Sequence, residues 1–356
     1  MAVPLRVIAL EGGPLTLGLL PAVFATVYIL ASLYFGRLSD RVRRLRLVRI
    51  GAVLMSLGAL LLWFAPGIAS IFLLLPVFSI GRGLFWPAFQ AELSDRGLSS
   101  QLGRRAGWFN VAWSSGKMLG FWTAGHVAEA FGPESPLLLA TFLCLVILPL
   151  MPGERRAGDV TERPGEEEIC GATDRRRFRL TAWTANFIGF GVAATLNYQF
   201  PKLFLSLEFG EGDLGNFLGL VMLVQTLTFA GLGLRRGWEY RVGWLVLPML
   251  AGAISVLGLF WARADVAFLA CAPGLGLFFG VVYSQSLYHS LHREAGPGRN
   301  AGIHEALLGA GSFLLPLAGG GAARVWGLTA PYPLCALVTV LGMVLALGWL
   351  RPSRND

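Results

Sequence analysis

The sequence predicts an all-α polytopic membrane protein, built as two helix bundles with about eleven transmembrane helices of a twelve-helix plan. Three observations carry this. Hydrophobic residues make up 55% of the 356 residues and charged residues only 14%, with a mean hydropathy of +0.62. A soluble domain carries roughly a quarter charged residues, whereas lipid needs no polar coat. The apolar residues fall in stretches long enough to cross a bilayer, and the chain repeats itself at an offset of 195 residues. Together these exclude a soluble enzyme, a disordered chain and a secreted disulfide scaffold. Cys144, Cys170, Cys271 and Cys335 are scattered and match neither zinc nor disulfide spacing.

A bilayer-crossing helix needs roughly 20 mostly apolar residues, and lipid-exposed backbone must satisfy its own hydrogen bonds. In order, the expected spans are Leu15–Phe35, Leu47–Phe64, Ala69–Ala91, Ala106–Phe131, Pro136–Met151, Leu180–Phe204, Leu214–Leu234, Val242–Ala262, Val266–Leu287, Ala301–Val325 and Pro333–Leu350. Alternate loops collect 23 of the 29 basic residues, among them Arg37–Arg49, Arg96–Arg105, Arg155–Arg179, Arg235–Arg241, Arg293, Arg299, Arg351 and Arg354. The other side holds four: Arg6, Lys202, Arg263 and Arg324. Basic loops stay in the cytoplasm, so the arginine-rich face and the C-terminus are expected there, in a bacterial cytoplasmic membrane. Residues 153–179, with Glu166–Glu168 against Arg175–Arg177, read as a solvated linker between an N-terminal bundle, 1–152, and a C-terminal bundle, 180–356.

The repeat is carried by glycines. Gly107, Gly116, Gly120 and Ala124-Gly125 return as Gly302, Gly311, Leu315 and Gly319-Gly320; Gly36 maps to Gly231, Arg41 to Arg236 and Gln90 to Gln285. Parallel halves related in this way are a transporter pattern, and small residues let helix backbones approach. The partner of the span starting near Leu180 would begin before Met1. The repeat therefore predicts a twelve-helix ancestor with most of helix 1 absent, Met1–Ile8 matching only its end, and the visible spans are numbered 2 to 12. The N-terminus lacks the basic start and long apolar run of a secretory signal peptide.

The loop after span 2 reads GRLSDRVRR, Gly36 to Arg44. It resembles the signature of the major facilitator superfamily, with Gly36, Asp40, Arg41 and Arg44 matching and Arg43 in the place of the second glycine. Gly107, Gly116 and Gly120 on span 5 resemble a second family motif, with Phe121 where that motif has proline. Span 11 repeats the pattern as Gly302, Gly311, Pro316, Gly319 and Gly320. The resemblance implies two six-helix bundles around a central cavity and alternating access by rocking. It implies that helices 1, 4, 7 and 10 line the cavity and that 2, 5, 8 and 11 form the gates. It further implies a gating role for Gly36, Asp40, Arg41, Arg44 and Asp95: Asp40 would meet the start of span 11 near Arg299–Gly302, and Arg44 would pair with Glu92 or Asp95.

Within the spans, charge is scarce. Arg82 lies near the middle of span 4, and Lys117 in the middle of span 5. A buried cation is costly in lipid and marks a functional site or a structural partner. Glu305, one turn into span 11, is a candidate for proton coupling, or else a carboxylate complementing the helix N-terminus. Trp86, Asn186, Tyr283 and Gln285 are further candidates to contact a solute, or else packing and helix-tying groups. His289, His292 and His304 read as solvated loop histidines rather than metal ligands. No phosphate loop and no nucleophile–base pair stands out, so neither an enzyme nor a cofactor is expected. The leading expectation is a secondary transporter of a small organic solute, anionic or zwitterionic, with Glu305 the candidate for proton coupling and no nucleic-acid partner. The alternatives are a non-transporting receptor or scaffold and an inactive, N-terminally truncated transporter.

Overall fold

The computed structural model describes residues 1–94, 102–151, 172–235, 237–292 and 297–350. Among them the secondary structure is helical throughout: α1 (Ala2–Ala9), α2 (Pro14–Leu38), α3 (Arg44–Phe64), α4 (Ile68–Ser94), α5 (Leu102–Phe131), α6 (Ser135–Leu150), α7 (Ala172–Tyr198), α8 (Phe200–Ser206), α9 (Glu211–Leu234), α10 (Gly243–Trp261), α11 (Asp265–Leu291), α12 (Pro297–Trp326) and α13 (Pro331–Trp349). The expected spans all fall on these helices. Eight of them (α2, α3, α4 and α9 to α13) are long and apolar enough to cross a membrane, while α6 is apolar but has 16 residues. The 30-residue α5 and 27-residue α7 carry more polar and basic side chains. Large apolar residues cover the outer faces, Leu73 at 77% exposed and Leu30 at 66%, as a lipid-facing surface requires.

One span is not a single helix. Leu180–Phe204 breaks at Gln199 into α7 and α8. Pro201 explains the break: it has no N–H to donate, and its ring crowds the carbonyl one turn back. The Gln199 amide uses the break, donating to the carbonyls of Pro14 at 3.1 Å and Pro316 at 3.2 Å.

Glycines set how the two halves of the chain meet. On α2 and α12, an added Cβ at Gly36 would lie 2.8 Å from the Gly302 Cα, and at Gly320 it would lie 3.2 Å from the Gly18 Cα. On α5 and α9, Gly107 meets the Gly233 Cα at 2.5 Å and Gly125 meets the Gly215 Cα at 2.8 Å by the same measure. The halves are thus in backbone contact at both ends of both helix pairs. The structure also corrects the repeat register. The counterpart of Gly36 at this contact is Gly233 rather than Gly231, whose Cβ position meets open space. Gly18 and Gly215 share the resulting 197-residue offset, while α5 and α12 keep 195.

Two expected packing glycines fail. Gly116 and Gly120 have nothing near their Cβ positions and are exposed. Gly107, Ser114, Phe121 and Gly125 form the buried face of α5 at seven- and four-residue spacing, and Gly116 and Gly120 project away from it. Gly311 does pack, against the Phe187 carbonyl, and a Cβ added at Gly319 would lie 3.2 Å from the Pro331 side chain.

Three of the four opposite-face cations are absorbed by structure. Arg6 donates to the carbonyls of Trp63 at 2.6 Å and Ala65 at 2.5 Å, and Arg263 to those of Phe260 and Ala262. Both arginines therefore satisfy helix C-termini, where positive charge is favoured. Lys202 donates to the Gly12 carbonyl at 2.6 Å.

Candidate functional site

The loop between α2 and α3 reaches the start of α12. Asp40 Oδ1 accepts the Gly298 N–H at 2.9 Å, and its Oδ2 accepts the Arg299 N–H at 3.0 Å. These are among the N–H groups a helix cannot satisfy internally, and they carry the positive end of its dipole. Arg44 fastens the same loop. Its Nη2 lies 3.3 Å from Asp40 Oδ1, its Nη1 donates to the Ala91 carbonyl at 2.8 Å, and its Nε donates to the Ser39 carbonyl at 3.2 Å. Arg43, in the place of a glycine, adopts φ −62° and ψ 112°, a conformation open to any residue. Arg41 is exposed, and Asp95 lies outside the described residues.

The opposite end carries a related contact. The Glu129 carboxylate, near the end of α5, lies against Gly210 and Gly212 at the start of α9, with His126 at 3.9 Å. Each end therefore sets an acidic side chain from the N-terminal half against the start of a helix in the C-terminal half.

Between these ends lies a polar centre. The Arg82 guanidinium sits 5.5 Å from the Phe24 ring centroid and 5.3 Å from that of Tyr28. Among the described residues it has no hydrogen bond and no ion pair. Lys117 is placed alike: its ammonium lies 5.3 Å from the Phe121 ring and is close enough to Arg82 to feel its charge. The charge of Arg82 also reaches Glu305 and Tyr198. A cation over an aromatic face recovers about 0.5–2 kcal/mol, far less than full hydration of a guanidinium.

Glu305 is 2% exposed and fully engaged. The Tyr28 hydroxyl donates to one carboxylate oxygen and the Gln90 amide to the other. Gln90 Nε2 also lies 3.1 Å from the Tyr283 hydroxyl. Tyr28 and Gln90 belong to the N-terminal half, Glu305 and Tyr283 to the C-terminal half. The network thus crosses the interface between them, on the arginine-rich side of Arg82.

The remaining candidates divide. Trp86 and Tyr283 stand beside this centre, Trp86 6.2 Å and Tyr283 5.1 Å from the Trp113 ring. Asn186 is fully buried, and neither of its amide atoms is bonded to protein among the described residues. Gln285 is turned away: its amide donates to the Trp238 carbonyl at 3.2 Å, and its carbonyl oxygen meets His289 at 3.1 Å. The helix twist puts it on the far face of α11 from Tyr283, so it ties the loop before α10 rather than facing Arg82. Two of the histidines are not solvated: His289 is 4% exposed and donates to the Glu239 carbonyl, and His304 is 0% exposed with Ser286 at 2.8 Å. Sequence reasoning does not single out Phe24, Tyr28, Gln90 or Trp113 as contacts. The signal available for Gln90 is its place in the repeat, and for Tyr28 its polar hydroxyl inside an apolar span.

A family model described as Major Facilitator Superfamily matches residues 1–302. The curated relative "Multidrug resistance protein 2" of Bacillus subtilis (strain 168) is 24% identical over 142 residues, 40% of this chain, and the match spans only 35% of that protein. Among solved structures, the crystal structure of the human organic anion transporter MFSD10 (TETRAN) superposes with a TM-score of 0.67 at 18% identity, over 92% of this chain and 83% of that one. That likeness speaks for the fold. Motif loop, repeat, helix arrangement and family match agree: the chain belongs to the Major Facilitator Superfamily, a family of membrane transporters rather than enzymes.

Proposed function

We propose that the protein is a secondary active transporter that carries a small organic anion across a bacterial cytoplasmic membrane by alternating access. Its arginine-rich face is cytoplasmic, and two bundles, residues 1–152 and 180–356, rock about the solute across the linker 153–179, whose last eight residues, 172–179, form the start of α7. The observation that carries the reading is Arg82: a guanidinium in mid-membrane, flanked by Phe24 and Tyr28 and bonded to no group among the described residues. A guanidinium grips a carboxylate or phosphate with two parallel hydrogen bonds. Lys117, within reach of its field, makes the centre positive. The human structural neighbour is named an organic anion transporter, which favours the same reading, while the name of the Bacillus relative points to multidrug resistance.

Glu305 supplies coupling in this reading. Its carboxylate holds Tyr28 and Gln90 from the other half, so the arginine-rich end opens only when these bonds part. Protonation turns one acceptor oxygen into a donor and loosens the set. Asp40, on the start of α12, closes the same end.

The test is proteoliposome counterflow of matched carboxylates and their uncharged amides by the wild type and Arg82→Gln. The carboxylates should lose at least tenfold and the amides far less, since a lost charge-assisted pair is worth about 1.5–3 kcal/mol. An equal loss for both solutes identifies Arg82 as structural and removes the anion reading.

A further inference from the structure

Helix register stacks the polar centre in layers. On the antiparallel helices α4 and α5, Trp86 meets Trp113 at 6.2 Å, and Phe89 meets Phe109 at 5.3 Å. The same register brings Arg82 level with Lys117. Arg82 precedes Trp86, and Trp113 precedes Lys117, by four residues, about one helical turn or 5.4 Å. A pair of cations thus lies one turn from a pair of indoles.

The indole layer is shared by both halves of the chain. Trp113 meets Tyr283 of α11 at 5.1 Å, and Tyr283 meets Phe190 of α7 at 5.7 Å. Trp86, Trp113 and Phe190 are only half-buried, although they stand at the meeting of four helices. The two indoles also differ. Trp113 Nε1 donates to Asn110 at 3.0 Å, whereas the Trp86 N–H has no protein acceptor among the described residues. Buried indoles normally find an acceptor. Trp86 therefore offers a ring face and a free donor one turn from Arg82.

Resting on the anion reading above, we infer that the solute is an aromatic organic anion. Its acidic group meets Arg82 and Lys117, and its ring lies against Trp86, Trp113 and Tyr283. Trp86 and Trp113 then decide specificity among anions, while Arg82 decides anion against neutral. A ring separated from its carboxylate by a two-carbon arm spans about one helical turn, which matches the layer spacing.

The test uses the full chain in lipid nanodiscs and calorimetric titration with three probes: 3-phenylpropanoate, 3-phenylpropanamide and 3-cyclohexylpropanoate. The wild type should bind 3-phenylpropanoate best. The cyclohexyl acid should bind roughly three- to tenfold more weakly, the range of an aromatic pair. Trp86→Leu should reduce that ring preference while keeping the preference for acid over amide, and Trp86→Phe should restore much of it. Arg82→Gln should do the reverse, erasing the acid preference and sparing the ring preference between the two acids. Equal affinity for the two acids in the wild type, with Arg82→Gln weakening both, overturns the aromatic inference and leaves the anion reading standing. Equal affinity for acid and amide overturns the anion reading, and binding of none of the three overturns both.

Discussion

The two halves share a scaffold and differ in chemistry. The glycines that let α2 meet α12 and α5 meet α9 come in matched sets: Gly107 with Gly302, Gly125 with Gly320, Gly18 with Gly215 and Gly36 with Gly233. The reactive groups have no such matches. At the 195-residue offset, Arg82 corresponds to Leu277, Lys117 to Ser312, and Glu305 to Asn110. Both mid-membrane cations lie in the N-terminal half and the engaged carboxylate in the C-terminal half. Packing is what the repeat preserves, because both helix pairs must approach at both ends. Departures from the repeat mark where chemistry was placed on that scaffold.

The largest expected effect tests the shared part. Gly107→Val and Gly302→Val each drive a side chain into a facing backbone and should destabilise by about 1–3 kcal/mol or more. Gly116→Ala and Gly120→Ala, in open space, should stabilise slightly or do nothing. Thermal unfolding in detergent decides this, and equal losses at all four positions would break the packing argument.

Next come the unmatched residues. Leu277→Gln, at the repeat counterpart of Arg82, should leave the preference for carboxylate over amide intact, whereas Arg82→Gln abolishes it; the same counterflow assay reads both. Glu305→Gln should retain solute exchange while uptake ceases to respond to an imposed pH gradient, measured with a pH-sensitive dye inside vesicles. A variant that still follows the gradient would remove Glu305 from the coupling path.

The smallest effects belong to the ends. Asp40→Asn keeps the shape but loses the charge facing α12. An exposed charge at a helix N-terminus is worth about 0.3–1 kcal/mol, so the population open at the arginine-rich end should rise about two- to fivefold. Glu129→Gln should favour opening at the other end, and less strongly, because its side chain is 52% exposed. Cysteine labelling from each side of the membrane measures both shifts; unchanged labelling in Asp40→Asn would mean that the loop is no gate.

Much of this architecture is legible in the sequence. Apolar length locates the helices, since lipid enforces regular hydrogen bonding on any segment that crosses it. The glycine repeat locates the contacts between halves, and the scarcity of charge points to Arg82, Lys117 and Glu305. What escapes depends on helix phase and tertiary neighbours. Gly116 and Gly120 share a helix with Gly107, but the 3.6-residue turn carries them to another face. Gln285 is two residues from Tyr283 and so points elsewhere. Tyr28 and Gln90 bind Glu305 across 277 and 215 residues of sequence, a distance at which no local pattern signals contact. The break before Pro201 is readable from the proline, which removes a donor inside a stretch otherwise long enough for one span.

The division of labour between the halves has one most direct test: the affinity of a transported carboxylate for the wild type, Arg82→Gln and Glu305→Gln in the same lipid. In the proposed reading Arg82 is the cation that the solute grips, and the Glu305 carboxylate competes for its field. Arg82→Gln should therefore weaken binding at least tenfold, while Glu305→Gln should leave it unchanged or tighten it. Equal weakening in both variants would contradict the account, because it would place the acid and the arginine in one structural pair.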